Sequence, residues 1–252
     1  MMKFICLIPA RYASTRFPGK PLATLGGKFV IQHVFERASM CFDHVYVCTD
    51  DERIYQAVAD FGGKALMTSS THRSGTERCN EAYNRLGIDA DVIVNIQGDE
   101  PFIHPSQLEA LKGCFTDSSI QIATLVKPYS ETDGLQALQN PNTPKVVLDG
   151  QMNALYFSRS VVPYLRGVDS ALWLSSHQYY KHIGIYGYRA DVLGEITKLP
   201  PGKLEVAESL EQLRWLENGY TIRVAETTIE TIGIDTPDDL NRAELYLKTL
   251  KV

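Results

Sequence analysis

Apolar and polar positions follow two different periods along the first half of the chain. Short β-rich apolar runs at 3–8, 44–48, 92–96 and 121–126 read as strands. Between them, 29–40, 51–61 and 105–115 carry apolar residues three and four apart, the spacing of helices that cover a sheet with one face. Gly26-Gly27 and Gly62-Gly63 punctuate the crossovers. This alternation predicts βαβ units and an α/β fold with a mostly parallel central sheet flanked by helices. The second half reads differently. Strands are predicted at Lys145–Leu148, Ala154–Ser158 and 182–188, followed by one strongly patterned helix over 203–218 that stops at Gly219. Residues 231–234 read as a last strand. Thr236-Pro237-Asp238-Asp239 then opens the final helix, with Thr as N-cap, Pro at the first helical position and acids in the positive first turn. Without a repeat, a low-complexity tract or a long linker, residues 1–252 are expected to form a single domain.

Composition narrows the classes of function. A 44% hydrophobic content over 252 residues is ample for a buried core. The net charge of −5 argues against broad nucleic-acid binding, which needs a basic footprint across a domain. Any anionic ligand must therefore be met locally. Five cysteines, at 6, 41, 48, 79 and 114, are odd in number and never spaced as CxxC, which fits a reducing cytoplasm better than a disulfide framework or a compact zinc site. The apolar run 4–10 is short and broken by Pro9 and Arg11, and nothing approaches the ~18 apolar residues of a membrane span, so neither export nor a membrane anchor is expected.

In open α/β sheets ligands bind beyond the carboxyl ends of strands, so the residues after each predicted strand come first. After the first strand, Arg11, Arg16 and Lys20 cluster with Ser14, Thr15, Pro18 and Gly19 in a loop able to gather cations and backbone N–H groups around a polyphosphate. The same charges also suit a solvated basic loop, and neither GxxxxGK[ST] nor GxGxxG occurs there. Gln97-Gly98-Asp99-Glu100-Pro101 follows the third predicted strand. Its Gly allows close backbone approach and Asp99 offers a hard oxygen to Mg²⁺. Asp235 follows 231–234 and could share that ion, since magnesium needs only one or two protein carboxylates. Singly, Asp99 is equally a turn acid and Asp235 an Asx-turn before a helix. Asp89-Ala90-Asp91 imitates a DxD metal motif but lies before a strand, at the wrong end of the sheet, and reads as a solvated turn.

A second polar loop, 71–78, leads into a helix and could bond a base or ribose, though Ser74-Gly75-Thr76-Glu77 is also an ordinary helix start. Strand alternation over 182–188 puts His182, Gly184 and Tyr186 on one face, either lining a pocket or forming core with a polar rim. Arg159, Glu211 and Gln212 are further polar candidates, with surface salt bridges as the alternative.

Seven ordered segments together resemble the 3-deoxy-manno-octulosonate (Kdo) cytidylyltransferases. They are IPARYASTRFPGKPL at 8–22, SGTER at 74–78, VNIQGDEP at 94–101, ALYFSR at 154–159, HIGIYGYR at 182–189, SLEQLR at 209–214 and IDTPDDL at 234–240. The resemblance implies a GT-A-like nucleotidyltransferase fold with a dimerisation and sugar-binding subregion in the second half, and a homodimer. It implies an Mg²⁺-dependent enzyme that transfers CMP from CTP to the anomeric 2-hydroxyl of Kdo, releasing pyrophosphate, for lipopolysaccharide biosynthesis. On its terms Arg11, Lys20, Asp99 and Asp235 are catalytic, and Asp99 and Asp235 hold the metal. Ala10, Arg11, Ser14, Arg16, Lys20, Ser74, Gly75, Thr76, Arg78 and Gln97 bind the nucleotide. Arg159 pairs with the sugar carboxylate, while Gln97, His182, Tyr186, Glu211 and Gln212 bond its hydroxyls. The alternatives are a cytidylyltransferase for 8-amino-Kdo or sialic acid, and a non-catalytic nucleotide-binding protein of the same fold. The segment 166–180 matches nothing specific, although Leu165, Leu172, Trp173 and Leu174 suggest a self-complementary apolar patch.

Overall fold

A computed structural model describes residues 2–14 and 16–249. In chain order its elements are β1 (Phe4–Ala10), the hairpin β2 (Thr24–Leu25) and β3 (Lys28–Phe29), α1 (Val30–Ser39), β4 (Val45–Thr49), α2 (Glu52–Asp60), β5 (Ala65–Met67), α3 (Gly75–Leu86), β6 (Val92–Asn95) and α4 (Pro105–Cys114). There follow β7 (Ile122–Pro128), α5 (Gly134–Gln139), β8 (Lys145–Leu148), β9 (Ala154–Ser158), α6 (Trp173–Ser176), β10 (Tyr180–Arg189), α7 (Ala190–Ile196), α8 (Lys203–Glu208), α9 (Gln212–Glu217), β11 (Ile222–Glu226) and α10 (Pro237–Thr249). The chain folds as two compact units. One comprises Met1–Glu109, Tyr188–Thr197 and Thr231–Val252; the other comprises Ala110–Gly187 and Lys198–Glu230.

The first unit carries the parallel sheet that the alternating pattern predicts. β1 pairs in parallel with β4 on one side and β6 on the other, and β4 pairs with β5. Six of the seven β1 residues are buried, as a strand covered on both faces requires. Helices α1, α2 and α3 pack against these strands. Val30, Ile31, Val34 and Ala38 form the buried stripe of α1, and each of the larger three contributes about 1.5–3 kcal/mol by leaving water. Asp51 caps α2 by accepting from the Arg53 N–H, and Ser74 caps α3 by accepting from that of Glu77. At the far end, Thr236 and Asp239 reciprocally cap α10, whose Ala243 packs with Leu25, Val30, Phe102 and Ile234.

In the second unit β11 and β7 are parallel, while β8 pairs antiparallel with both β10 and β9. Tyr129, Leu138, Trp173 and Tyr179 form a separate apolar cluster. Trp173 is thus core, and of the expected patch only Leu172 is strongly exposed.

Two expectations fail locally. Residues 231–234 are not a strand: Ile234 is buried and its N–H donates to the Asp99 carbonyl, so an irregular segment has the apolar look of a strand. The expected helix over 203–218 is two helices, because Ser209 takes a left-handed φ of 52°. A break of that kind leaves the hydrophobic period intact on both sides and so escapes a periodicity argument.

Candidate active site

The carboxyl ends of β1 and β6 open onto a cleft of about 240 Å³ in the first unit. Ala10, Arg11, Ser14, Arg16 and Lys20 come to it from the loop after β1, and Ser74, Gly75 and Arg78 from the start of α3. Gln97, Gly98 and Asp99 follow β6, and Asp235 precedes α10. Thus the four segments that the sequence singled out converge on one space. Thr76 is the exception, being buried and absent from the cleft wall. Thr15 lies outside the described residues.

Two glycines make the approach close. Gly19 has φ +73°, and a Cβ there would sit 2.9 Å from the Tyr12 ring. Arg53 stacks on that same ring at 3.3 Å from its centroid. At Gly98 a Cβ would lie 3.1 Å from both the Pro9 carbonyl oxygen and Ile31.

The centre of the cleft is a charge lattice. Lys20, nearly buried, donates from Nζ to Asp99 and, at 3.1 Å, to Asp235; Arg16 lies 3.1 Å from the other Asp235 oxygen. Glu100 lies beneath them, and sequence spacing did not single it out. Burial first, then the Asp99 and Asp235 charges, push its carboxyl up to about 8, against Lys20 and a Thr231 hydrogen bond. The only sequence signal for Glu100 was its place in the same acidic turn.

Other cations have settled partners. Arg78 is buried and donates to Thr68 (2.6 Å), the Ser69 carbonyl (3.2 Å) and Asp50 (3.0 Å), so it buttresses the cleft wall as an already neutralised group. Arg11 is exposed and makes no ion pair among the described residues. Asp89 pairs with Lys3 on the surface, as a solvated turn would.

No cluster of three or more metal-ligating His, Cys, Asp or Glu exists among the described residues. Asp99 and Asp235 nevertheless have the hard oxygens that suit magnesium, whose remaining positions would fall to water and phosphate.

The acceptor-side candidates lie in the second unit, apart from Gln97, which lines the first cleft and donates to Asn95. His182 lies edge-on to Phe157 and against Tyr186, whose ring meets Trp215 edge to face at 5.1 Å. Burial pushes the His182 imidazole down to about 3, so it is neutral. Its Nε2 lies 3.0 Å from Thr124 Oγ1. Thr124 was also missed, although a lone hydroxyl within the apolar run Ile-Ala-Thr-Leu-Val was the available signal. Gln212 is buried and its Nε2 meets no hydrogen-bond partner among the described residues. Glu211 accepts from Arg214 at 2.9 Å.

Arg159 is held by backbone carbonyls rather than in the surface salt bridge expected as its alternative role. Its guanidinium donates to the carbonyls of Glu208 (2.6 Å), Pro141 (2.9 Å) and Ser209 (3.2 Å). It thereby ties β9 to the break between α8 and α9. Lys145, fully buried, adds a donation to the Arg159 carbonyl at 2.6 Å.

Comparison with known proteins shows what the chain is similar to. The Cytidylyltransferase family profile matches residues 5–228. The 3-deoxy-manno-octulosonate cytidylyltransferase of Phocaeicola vulgatus is 66% identical over 247 residues, covering 98% of each chain. The protein of the same name from Bacteroides thetaiotaomicron is 62% identical, covering 98% of this chain and 99% of its own. A solved structure of CMP:2-keto-3-deoxy-manno-octonic acid synthetase, complexed with CTP, superposes with a TM-score of 0.90 at 43% identity, over 98% of this chain and 99% of that one.

Proposed function

Because this chain belongs to the 3-deoxy-manno-octulosonate cytidylyltransferase family, we propose that it transfers CMP from CTP to the anomeric hydroxyl of Kdo and releases pyrophosphate. The observation that carries the reading is the Lys20 ammonium held between Asp99 and Asp235 in a cleft rimmed by Arg11 and Arg16. Lysine has three N–H donors, and two face carboxylates here. The third is left for a phosphate oxygen, with Arg11 and Arg16 completing the neutralisation of the β- and γ-phosphates. The α3 N-terminus adds the positive end of a helix, which begins at Gly75 with Ser74 as its cap.

In this reading the sugar hydroxyl attacks the α-phosphorus in line as the bond to pyrophosphate breaks. Phosphoryl-type transfer depends on positioning and charge stabilisation, so the chain needs clamps rather than a covalent nucleophile. Magnesium belongs to the proposal: held by Asp99 and Asp235, it would act as a Lewis acid on phosphate and hydroxyl oxygens. On the acceptor side, Gln212 supports the reading, because an orphaned buried amide costs about 1–3 kcal/mol that a sugar oxygen would offset. Kdo-dependent pyrophosphate release from CTP, with and without magnesium, tests the proposal. Turnover with a sugar 1-phosphate and none with Kdo would overturn it.

A homodimer and a cytoplasmic location complete the proposal. Exposed Leu155, Tyr164, Leu172 and Val206 in the second unit support self-association. All five cysteines are free, which suits a reducing compartment, and no helix among the described residues is long and apolar enough to cross a membrane. Sedimentation at micromolar concentration checks the first point, and a monomer mass would contradict it.

A further inference from the structure

We propose that Thr124 fixes the tautomer of His182, leaving Nδ1 as a hydrogen-bond acceptor that selects the acceptor sugar by a donor hydroxyl. The proposal rests on the reading that His182 faces that sugar.

The argument is a count of protons. Thr124 Oγ1 lies 2.7 Å from the Ile185 carbonyl, 3.2 Å from the Ile183 carbonyl and 3.0 Å from His182 Nε2. A hydroxyl has one proton and two lone pairs, and a carbonyl can only accept. If Thr124 gave its proton to Nε2, its lone pairs would face two carbonyl oxygens, one of them at 2.7 Å. The proton therefore goes to the carbonyls, and Thr124 accepts from His182 Nε2–H. Neutral imidazole carries one ring proton, so Nδ1 is the acceptor.

Three observations support a recognition role for that nitrogen. Nδ1 has no hydrogen-bond partner among the described residues, yet it is not among the sealed polar atoms that lack one. Phe157 and Tyr186 flank the ring and limit its rotation. No charged group perturbs it, and burial alone keeps it neutral far below physiological pH. Such a site accepts a bond from a hydroxyl and rejects a group that can only accept, because two lone pairs would then face each other. It cannot serve as a cation for the sugar carboxylate.

The first test needs no substrate. Long-range ¹H–¹⁵N spectra of the protein labelled in its six histidines, with His182 assigned by the His182→Asn variant, report the tautomer directly. The expected result is pyrrole-type Nε2 and pyridine-type Nδ1, with Nδ1 shifting when Kdo is added. A protonated Nδ1 overturns the proposal even if Kdo turnover is intact.

Variants supply the second test. Thr124→Val keeps the shape but removes the acceptor, so Nδ1–H should become populated and kcat/KM for Kdo should fall about five- to hundredfold. The KM for CTP should stay unchanged, and Thr124→Ser should restore both tautomer and kinetics. An unchanged tautomer and unchanged Kdo kinetics in a folded Thr124→Val protein would overturn the proposal. If the valine variant does not fold, Thr124→Ser alone decides, since it must retain the wild-type spectrum and KM. An Nε2–H ring in a protein that ignores Kdo would overturn the sugar-selecting part together with the functional reading, and an Nδ1–H ring in a protein that turns Kdo over would overturn the proposal and leave the functional reading standing.

Discussion

The ammonium of Lys20 stands 3.1 Å from Oδ1 of Asp235, inside a cleft where Arg11 and Arg16 reach solvent. Lys20 thus holds the two carboxylates together and, on the proposed reading, presents charge to a leaving phosphate. Lys20→Ala should lower kcat by about a hundredfold or more, because the charge matters most when pyrophosphate departs. Asp99→Ala and Asp235→Ala should do the same. Pyrophosphate release at saturating CTP measures all three, and a raised KM for CTP at unchanged kcat would reduce Lys20 to a ground-state contact.

Gly19 should tolerate little. Its φ of +73° and the Tyr12 ring 2.9 Å from the missing Cβ combine two penalties at one position. A side chain in the left-handed region costs about 1–2 kcal/mol, and displacing the ring would loosen the loop that carries Arg16 and Lys20. Gly19→Ala should weaken CTP binding several-fold by titration calorimetry while the melting temperature falls only modestly. Wild-type CTP affinity would show that the loop absorbs the change.

Much of this arrangement could be read from sequence, and the limits were specific. The caps at Ser74 and Thr236, the buried β1 run and the cationic loop all rest on local chemistry that adjacent residues reveal. Lys20, Asp99 and Asp235 were likewise found by their positions at the ends of apolar segments. Glu100 and Thr124 were not, because their importance comes from what the fold places opposite them: two carboxylates for one, a ring nitrogen and two carbonyls for the other. Arg159 was found, but its three carbonyl partners lie 18 to 50 residues away in sequence. The break at Ser209 turns on a single dihedral that no apolar period encodes.

Arg159 should thus affect stability as well as sugar use. Arg159→Ala strands three carbonyls and should destabilise the protein by about 1–3 kcal/mol in urea unfolding, with a weaker effect for lysine, which can reach one of them. The KM for Kdo should also rise. A variant of wild-type stability with impaired Kdo use would mean that the carbonyl contacts are easily replaced by water.

His182 makes a distinct contribution to acid sensitivity. Its imidazole titrates at about 3 when folded and near 6.5 when unfolded, so between those values the unfolded chain binds the extra proton. Stability from this group is therefore fully present above pH 6.5 and is lost as pH falls toward 3, at up to about 1.4 kcal/mol per unit. The difference in unfolding free energy between wild type and His182→Gln, taken from pH 7 to 4, isolates it from the carboxylates. A difference that does not change with pH would mean that the ring is solvated when folded.

The main-chain bond from Ile234 to the Asp99 carbonyl, 2.9 Å long, also sets a timetable. The segment bearing Asp235 is made 215 residues after Lys20 of the cationic loop. At about 5–20 residues per second, the partly made chain spends roughly ten seconds or more with the loop's cations exposed and one carboxylate still unsynthesised. If the loop binds nucleotide as proposed, a nascent chain would attract it during that interval without turning it over. On the proposed reading, competence arrives only once Asp235 is made, so a product truncated before it would be inert rather than misdirected.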